Sequence, residues 1–182
     1  MINNTKKLIE FLMKTYISKV DIAVDMTVGN GFDSKNILEI LNPKKLYCFD
    51  IQKEALENSK KLLYNFSNYK LILESHKNID KYINENIDFA IYNLGYLPNG
   101  NKNITTNADD VGESLKKLLL KLNFNGIIII TFYPGHLSGE IESLEISKIL
   151  KSLEQKNFLV LKFLFENQKN NPPYVVMIQK IR

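Results

Sequence analysis

The sequence predicts an α/β protein: a mostly parallel, doubly wound sheet of seven strands that ends in a C-terminal antiparallel hairpin. Three observations lead there. Short apolar runs alternate with helix-patterned segments from residue 20 to residue 156. Residues 126–133, GIIIITFY, are apolar and β-branched almost throughout, which is how a strand buried on both faces reads. The last two apolar runs, 158–167 and 174–181, are joined by a short polar loop and so pair as a hairpin.

Each element follows in order. Residues 1–19 read as an amphipathic helix, because Glu10 and Lys14 interrupt what a signal peptide would keep apolar and no small-residue cleavage site follows. Residues 20–25, VDIAVD, make a first strand ending in Asp25, and a helix over 34–41 stops at Asn42-Pro43. Residues 45–50, KLYCFD, form a second strand that again ends in an acid. A helix over 53–65, a strand over 70–73, a short helix near 78–85 and a strand over 87–92 come next. Residues 107–122 are helical, with Leu115, Leu118, Leu119 and Leu122 on one face. After the buried strand, a helix over 139–156 leads to the hairpin. Five βα units and a hairpin match a Rossmann-like class I methyltransferase architecture better than a six-stranded dinucleotide fold.

At 182 residues and 45% hydrophobic, the chain is expected to form one domain over 1–182. No run approaches the eighteen or so apolar residues of a membrane span, so a cytoplasmic protein without a membrane partner is expected. Cys48 is the only cysteine, and His76 and His136 stand far apart, so no metal site is expected. The formal charge of +4 would attract nucleic acid, but lysine- and asparagine-rich composition has other origins and decides nothing alone.

The informative stretch is DMTVGNGFDS at 25–34. In an open α/β sheet, ligands bind outside the carboxyl ends of the strands, where Asp25, the turn TVGNG and Asp50 all lie. A carboxylate ending the second strand suits a ribose diol, which both NAD and S-adenosylmethionine (SAM) carry. The turn separates the two. A dinucleotide site prefers a third glycine and a pyrophosphate on the helix N-terminus. Here Ser34 takes the third glycine's place, and Asp33 beside it would repel a pyrophosphate while suiting the ammonium and sulfonium of SAM. A ligand-free tight turn capped by Asp33 is the plainer alternative.

After the fourth strand comes Asn93-Leu94-Gly95-Tyr96. Enzymes that methylate amino nitrogens place an Asn or Asp, two compact residues and an aromatic at this point. The Asn side-chain oxygen and the following Leu94 backbone carbonyl would hold the amine hydrogens. The aromatic would stack on a planar base, worth ~1–3 kcal/mol in nucleic-acid sites. A literal NPPY at 171–174 falls between the last two strands, away from any expected crevice, and reads as a rigid turn. The loop LPNGNKNITT is long for a compact unit and lies at the binding edge, although Thr105 and Thr106 would also serve as helix caps. Tyr133 and His136 follow the fifth strand at the same crevice, where a histidine either takes an amine proton or fixes the loop.

Together these segments resemble one family of class I SAM-dependent methyltransferases, historically labelled rRNA methylases. The resemblance runs almost end to end. It rests on D-x-T-x-G-N-G-x-D at 25–33, F-D-I-Q at 49–52, S-H at 75–76 and N-L-G-Y-L-P at 93–98. It continues with K-x-I-T-T at 102–106, Y-P-G-H-x-x-G-x-x-E at 133–142 and N-Q-x-N-x-P-P at 167–173. Where the family usually has histidine and threonine, this chain has Phe32 and Ser34; Asn99 and Asn101 replace the usual glycine and aspartate.

The resemblance implies methylation of the exocyclic amine of 5-aminomethyl-2-thiouridine at the tRNA wobble position, with the anticodon loop of tRNA as partner and a homodimer as assembly. It implies that Thr27, Gly29, Asn30 and Asp33 surround the methionine part of SAM, within a cofactor set that also includes Asp25 and Gly31. Asp50 and Gln52 would hold the ribose and adenine side, with Ser75 and His76 near the adenine. Asn93, Leu94, Tyr96, Lys102, Thr105, Thr106, Tyr133 and His136 would face cofactor or acceptor, with Asn93, Tyr96 and His136 closest to the chemistry. Lys6, Lys7 and Lys14 are further candidates for gripping RNA. The alternatives that the residues leave open are another amine acceptor, such as an rRNA base or a small molecule, and a non-catalytic RNA-binding module.

Overall fold

The computed structural model describes residues 1–95 and 106–182, so Tyr96, Lys102 and Thr105 lie outside the described residues. Its strands are β1 (Ile22–Asp25), β2 (Lys45–Asp50), β3 (Tyr69–Leu73), β4 (Ile87–Asn93), β5 (Leu122–Phe132), β6 (Phe158–Phe163) and β7 (Tyr174–Lys180). They form one sheet in the order β3-β2-β1-β4-β5-β7-β6. Pairing is parallel from β3 through β5. It is antiparallel where β7 inserts between β5 and β6. The hairpin expectation therefore holds, with the last strand inside and β6 on the edge.

Five helices accompany the described strands: α1 (Thr5–Tyr16), α2 (Phe32–Ile40), α3 (Lys53–Leu62), α4 (Ala108–Lys121) and α5 (Leu137–Lys151). Leu8, Leu12 and Met13 of α1 pack with Ile37, Ile127 and Ile129 on one face of the sheet. Leu115 and Leu118 of α4 and Ile146 of α5 pack with Ile128 and Ile130 on the other. Alternate isoleucines of β5 thus enter opposite cores, and all four are at most 1% exposed. That is the physical meaning of the unbroken apolar run.

Several boundaries differ from the sequence reading. Strand β5 starts at Leu122, because the chain leaves α4 directly into extended backbone there. Helix α5 runs Leu137–Lys151 rather than 139–156, since His136 caps it early. The helix near 78–85 is instead a 3₁₀ helix, His76–Lys81. At the N-terminus, Asn4 accepts a hydrogen bond from the Lys7 amide and starts α1 at Thr5. No helix among the described residues is long and apolar enough to cross a membrane.

Candidate functional site

Strand order reverses between β1 and β4, so the chain crosses to opposite sides there and leaves a crevice outside the strand ends. The glycine turn builds its floor. Gly29 and Gly31 both hold positive φ, 51° and 84°, where a side chain would be strained. The Gly29 amide donates to Asp50 Oδ2 at 2.9 Å, and the Gln52 amide donates to Oδ1 at 2.9 Å. Burial, offset in part by these donors, raises the Asp50 carboxyl above the ordinary range. From α3, Ser59 Oγ donates to the Gly29 carbonyl and Asn58 Nδ2 to Asn30 Oδ1. The turn is clamped from both sides.

Asp25 works from behind this wall. It is 0% exposed, and its carboxylate accepts from the Thr27 amide at 3.1 Å and Ser34 Oγ at 2.7 Å. Burial and then the charge of Asp33 push its pKa up to about 7. Gly31 is likewise a packing position, against Ser59. The residue at the third glycine position is therefore not idle: Ser34 ties Asp25 to the start of α2.

At the end of β4, the Asn93 amide donates to Thr27 Oγ1 at 2.8 Å, and its side-chain Nδ2 donates to Asp33 Oδ2 at 3.0 Å. Burial raises the Asp33 carboxyl. Burial raises the Tyr133 phenol, and the neighbouring side chains of Asn93 and of Thr5 of α1 oppose that shift. Thr106 does not cap α4; Asn107 does, accepting from the Asp109 amide. Instead Thr106 pairs with Gly95, whose amide donates to Thr106 Oγ1 at 3.0 Å and whose carbonyl accepts from the Thr106 amide at 2.9 Å.

Beyond β3, Ser75 Oγ donates to Asp110 Oδ2 at 2.8 Å, while Lys77 Nζ reaches Asp110 Oδ1 at 3.1 Å. His76 meets the Tyr92 ring edge-on at 5.6 Å, and burial pushes its pKa down to about 4, so it is neutral. His136 is the N-cap of α5: its Nδ1 accepts from the Gly139 amide at 3.0 Å.

These residues surround a crevice of about 980 Å³. Of the expected cofactor set, Thr27, Gly29, Asn30, Asp33 and Asp50 line it, as do Gln52, Ser75, His76, Asn93 and Leu94. Thr106, Tyr133 and His136 line it too. The sequence reading missed Glu74 and Asp110, and it misjudged one loop. Asn171, Pro172 and Pro173 of the NPPY stretch, expected to be away from any crevice, form part of its wall. The antiparallel insertion of β7 beside β5 brings the start of β7 to the carboxyl end of β5, where Phe132 pairs with Tyr174. A second cavity of about 290 Å³ lies against α1 and shares Phe32, Asp33, Asn93 and Tyr133 with the first. Among the described residues, no three His, Cys, Asp or Glu side chains converge to hold a metal ion.

The sheet order, the glycine turn after β1 and the acid ending β2 define the fold of the class I methyltransferases. The chain belongs to the family described as "Putative rRNA methylase", whose model matches residues 46–179. A Clostridium thermocellum crystal structure described as a "putative rRNA-methylase" superposes with a TM-score of 0.93 at 34% identity, covering 100% of both chains. A Streptococcus mutans protein described as "a putative methyltransferase", solved in complex with SAH, gives a TM-score of 0.89 at 35% identity over 99% of both chains. A chloroplastic tRNA (mnm(5)s(2)U34)-methyltransferase from Arabidopsis thaliana is 31% identical over 90% of this chain. The chain spans 65% of that relative's length.

Proposed function

We propose that this protein is a SAM-dependent RNA methyltransferase, and that its acceptor is the aminomethyl nitrogen of 5-aminomethyl-2-thiouridine at the wobble position of tRNA. The observation that carries the methyltransferase reading is the crevice itself, with Asp50 at one end and the Asn93–Asp33 pair at the other. The tRNA acceptor is supported by the similarity to the Arabidopsis protein.

The residues present fit SAM. The crevice has ligand size, its floor is free of side chains at Gly29, and carboxylates face the places where a diol and an ammonium would lie. Asp50 would accept from the ribose hydroxyls, with its orientation fixed by the Gly29 and Gln52 amides. Neutral His76 and Ser75 would border the adenine, and Thr27, Asn30 and Asp33 the methionine end. When bound, SAM supplies a methyl group on sulfonium, an electrophile that needs no further activation. The chain's own contribution is positioning. Asn93 is held from two directions, by Thr27 and Asp33, and its Oδ1 would accept from the acceptor amine. By the family resemblance Tyr96 would stack on the base, and Lys6, Lys7, Lys14 and Lys102 are candidates for gripping the RNA.

The test uses the purified chain, SAM and tRNA from cells lacking the terminal methylation, with nucleosides weighed by mass spectrometry after digestion. Gain of one methyl on 5-aminomethyl-2-thiouridine is expected. Methylation of rRNA but not of this tRNA would replace the acceptor. RNA binding without SAM binding would replace the enzyme with a binding module.

A further inference from the structure

A protonated primary amine must lose a proton before it attacks, and that proton needs an acceptor. The smaller cavity supplies one. Thr5, Lys6 and Ile9 of α1 form one side of it, and Asp33, Asn93 and Tyr133 form the side it shares with the main crevice. Building on the methyltransferase reading, we propose that this cavity receives the acceptor's primary alkylammonium and that Asp33 takes its proton.

The geometry favours Asp33 over the other candidate base. His136 Nδ1 accepts from the Gly139 amide, a group that can only donate, so the neutral ring carries its proton on Nε2. The lone pair that would receive a proton already holds the first turn of α5. Asp33 instead stands where the two cavities meet, its Oδ2 held 3.0 Å from Asn93 Nδ2. Asp33 and Asn93 line both cavities. Ile9 is buried at the cavity's inner side, while the Phe32 ring at its rim is 58% exposed. Lys6 Nζ lies 5.8 Å from the Phe32 ring centroid, a cation suited to phosphate rather than to an ammonium. The charged and titratable groups facing Asp33 are Lys6 from α1, Asp25 from β1 and Tyr133 beyond β5. Burial raises the Asp33 carboxyl, which makes it a stronger base than an exposed aspartate.

The step balances. The ammonium gives one proton to the Asp33 carboxylate and becomes a neutral amine. Its lone pair forms the new N–CH₃ bond as the methyl–sulfur bond breaks, with that electron pair left on sulfur. The secondary ammonium departs, and Asp33 returns its proton to solvent.

Three measurements decide it. SAM affinity is read by calorimetry for the wild type, Asp33→Asn, Asp33→Glu and Thr5→Trp, the last filling the cavity from the first turn of α1. Binding of tRNA with and without the aminomethyl group is compared in the absence of SAM. Single-turnover rates at saturating SAM are followed against pH. Because Asp33 also borders the methionine end, Asp33→Asn is expected to weaken SAM binding; it should lose the preference for aminomethylated tRNA, and at SAM concentrations that saturate the variant its turnover should still fall by about 100-fold or more. The acid limb of the pH profile should disappear with it, and Asp33→Glu should restore part of the rate. Thr5→Trp should abolish the preference with SAM affinity intact. Recovery of the wild-type rate by Asp33→Asn at saturating SAM would overturn the proposal and leave Asp33 a cofactor ligand only. Wild-type behaviour of Thr5→Trp would place the amine elsewhere. A wild-type chain that binds no SAM would sink the methyltransferase reading itself, and this proposal with it.

Discussion

Gly31 shows what a single residue decides here. Its φ of 84° already disfavours a side chain, and a Cβ there would stand 3.0 Å from both Cα and Oγ of Ser59. Backbone cannot yield as a flexible side chain does. Gly31→Ala is therefore expected to cost about 1–3 kcal/mol in urea denaturation, and to weaken SAM binding by displacing Gly29 and Asn30. Unchanged stability would mean that the turn re-forms around the methyl. Asp25 carries the complementary lesson. Its type and place were legible as part of a ligand-binding turn, but its buried carboxylate serves the Thr27 amide and Ser34 Oγ. A sequence shows that an acid ends a strand, but not which way its oxygens face once the following turn closes over them.

Among the elements, α1 has two tasks. Leu8, Ile9, Leu12 and Met13 seal one face of the sheet, while Thr5 and Lys6 reach the smaller cavity. Leu12 is fully buried, so Leu12→Ala should lower stability by about 2–5 kcal/mol, read from the shift in denaturation midpoint. A change well below that range would show that α1 repacks readily. The amphipathic pattern made this helix visible in the sequence. Its position over Asn93 and Tyr133 was not visible, because helix periodicity gives the buried face but not the neighbour it meets. The NPPY loop failed for the same reason. Its place between the last two strands argued against the crevice, yet antiparallel pairing of β7 with β5 returns it to the sheet's carboxyl edge.

At the scale of the whole molecule, buried carboxylates tie stability to pH. Glu142 sits beneath the site on α5, 6% exposed, and burial pushes its pKa up to about 7 against the lowering effect of a hydrogen bond with Thr106. A carboxyl raised on folding binds more protons in the folded state. Its contribution is complete below the ordinary value of 4.5 and is lost as pH rises through about 7. Glu142→Gln should flatten the fall of thermal midpoint between those limits. An unchanged slope would assign the effect to other groups, with Asp25 first among them.

The sequence by itself determined the α/β alternation, the doubly buried fifth strand, the terminal hairpin and the acids and glycines at the ends of β1 and β2. These are local patterns, fixed by the period of burial and by backbone conformations that few residues adopt. The tertiary structure decided which of those groups face a crevice. It turned Asp25 inward, joined Asp33 to Asn93 across sixty residues of chain, committed His136 to a helix end and brought residues 171–173 to the wall. Such contacts depend on strand order and helix packing, which bring together residues whose separation along the chain carries no trace of their meeting.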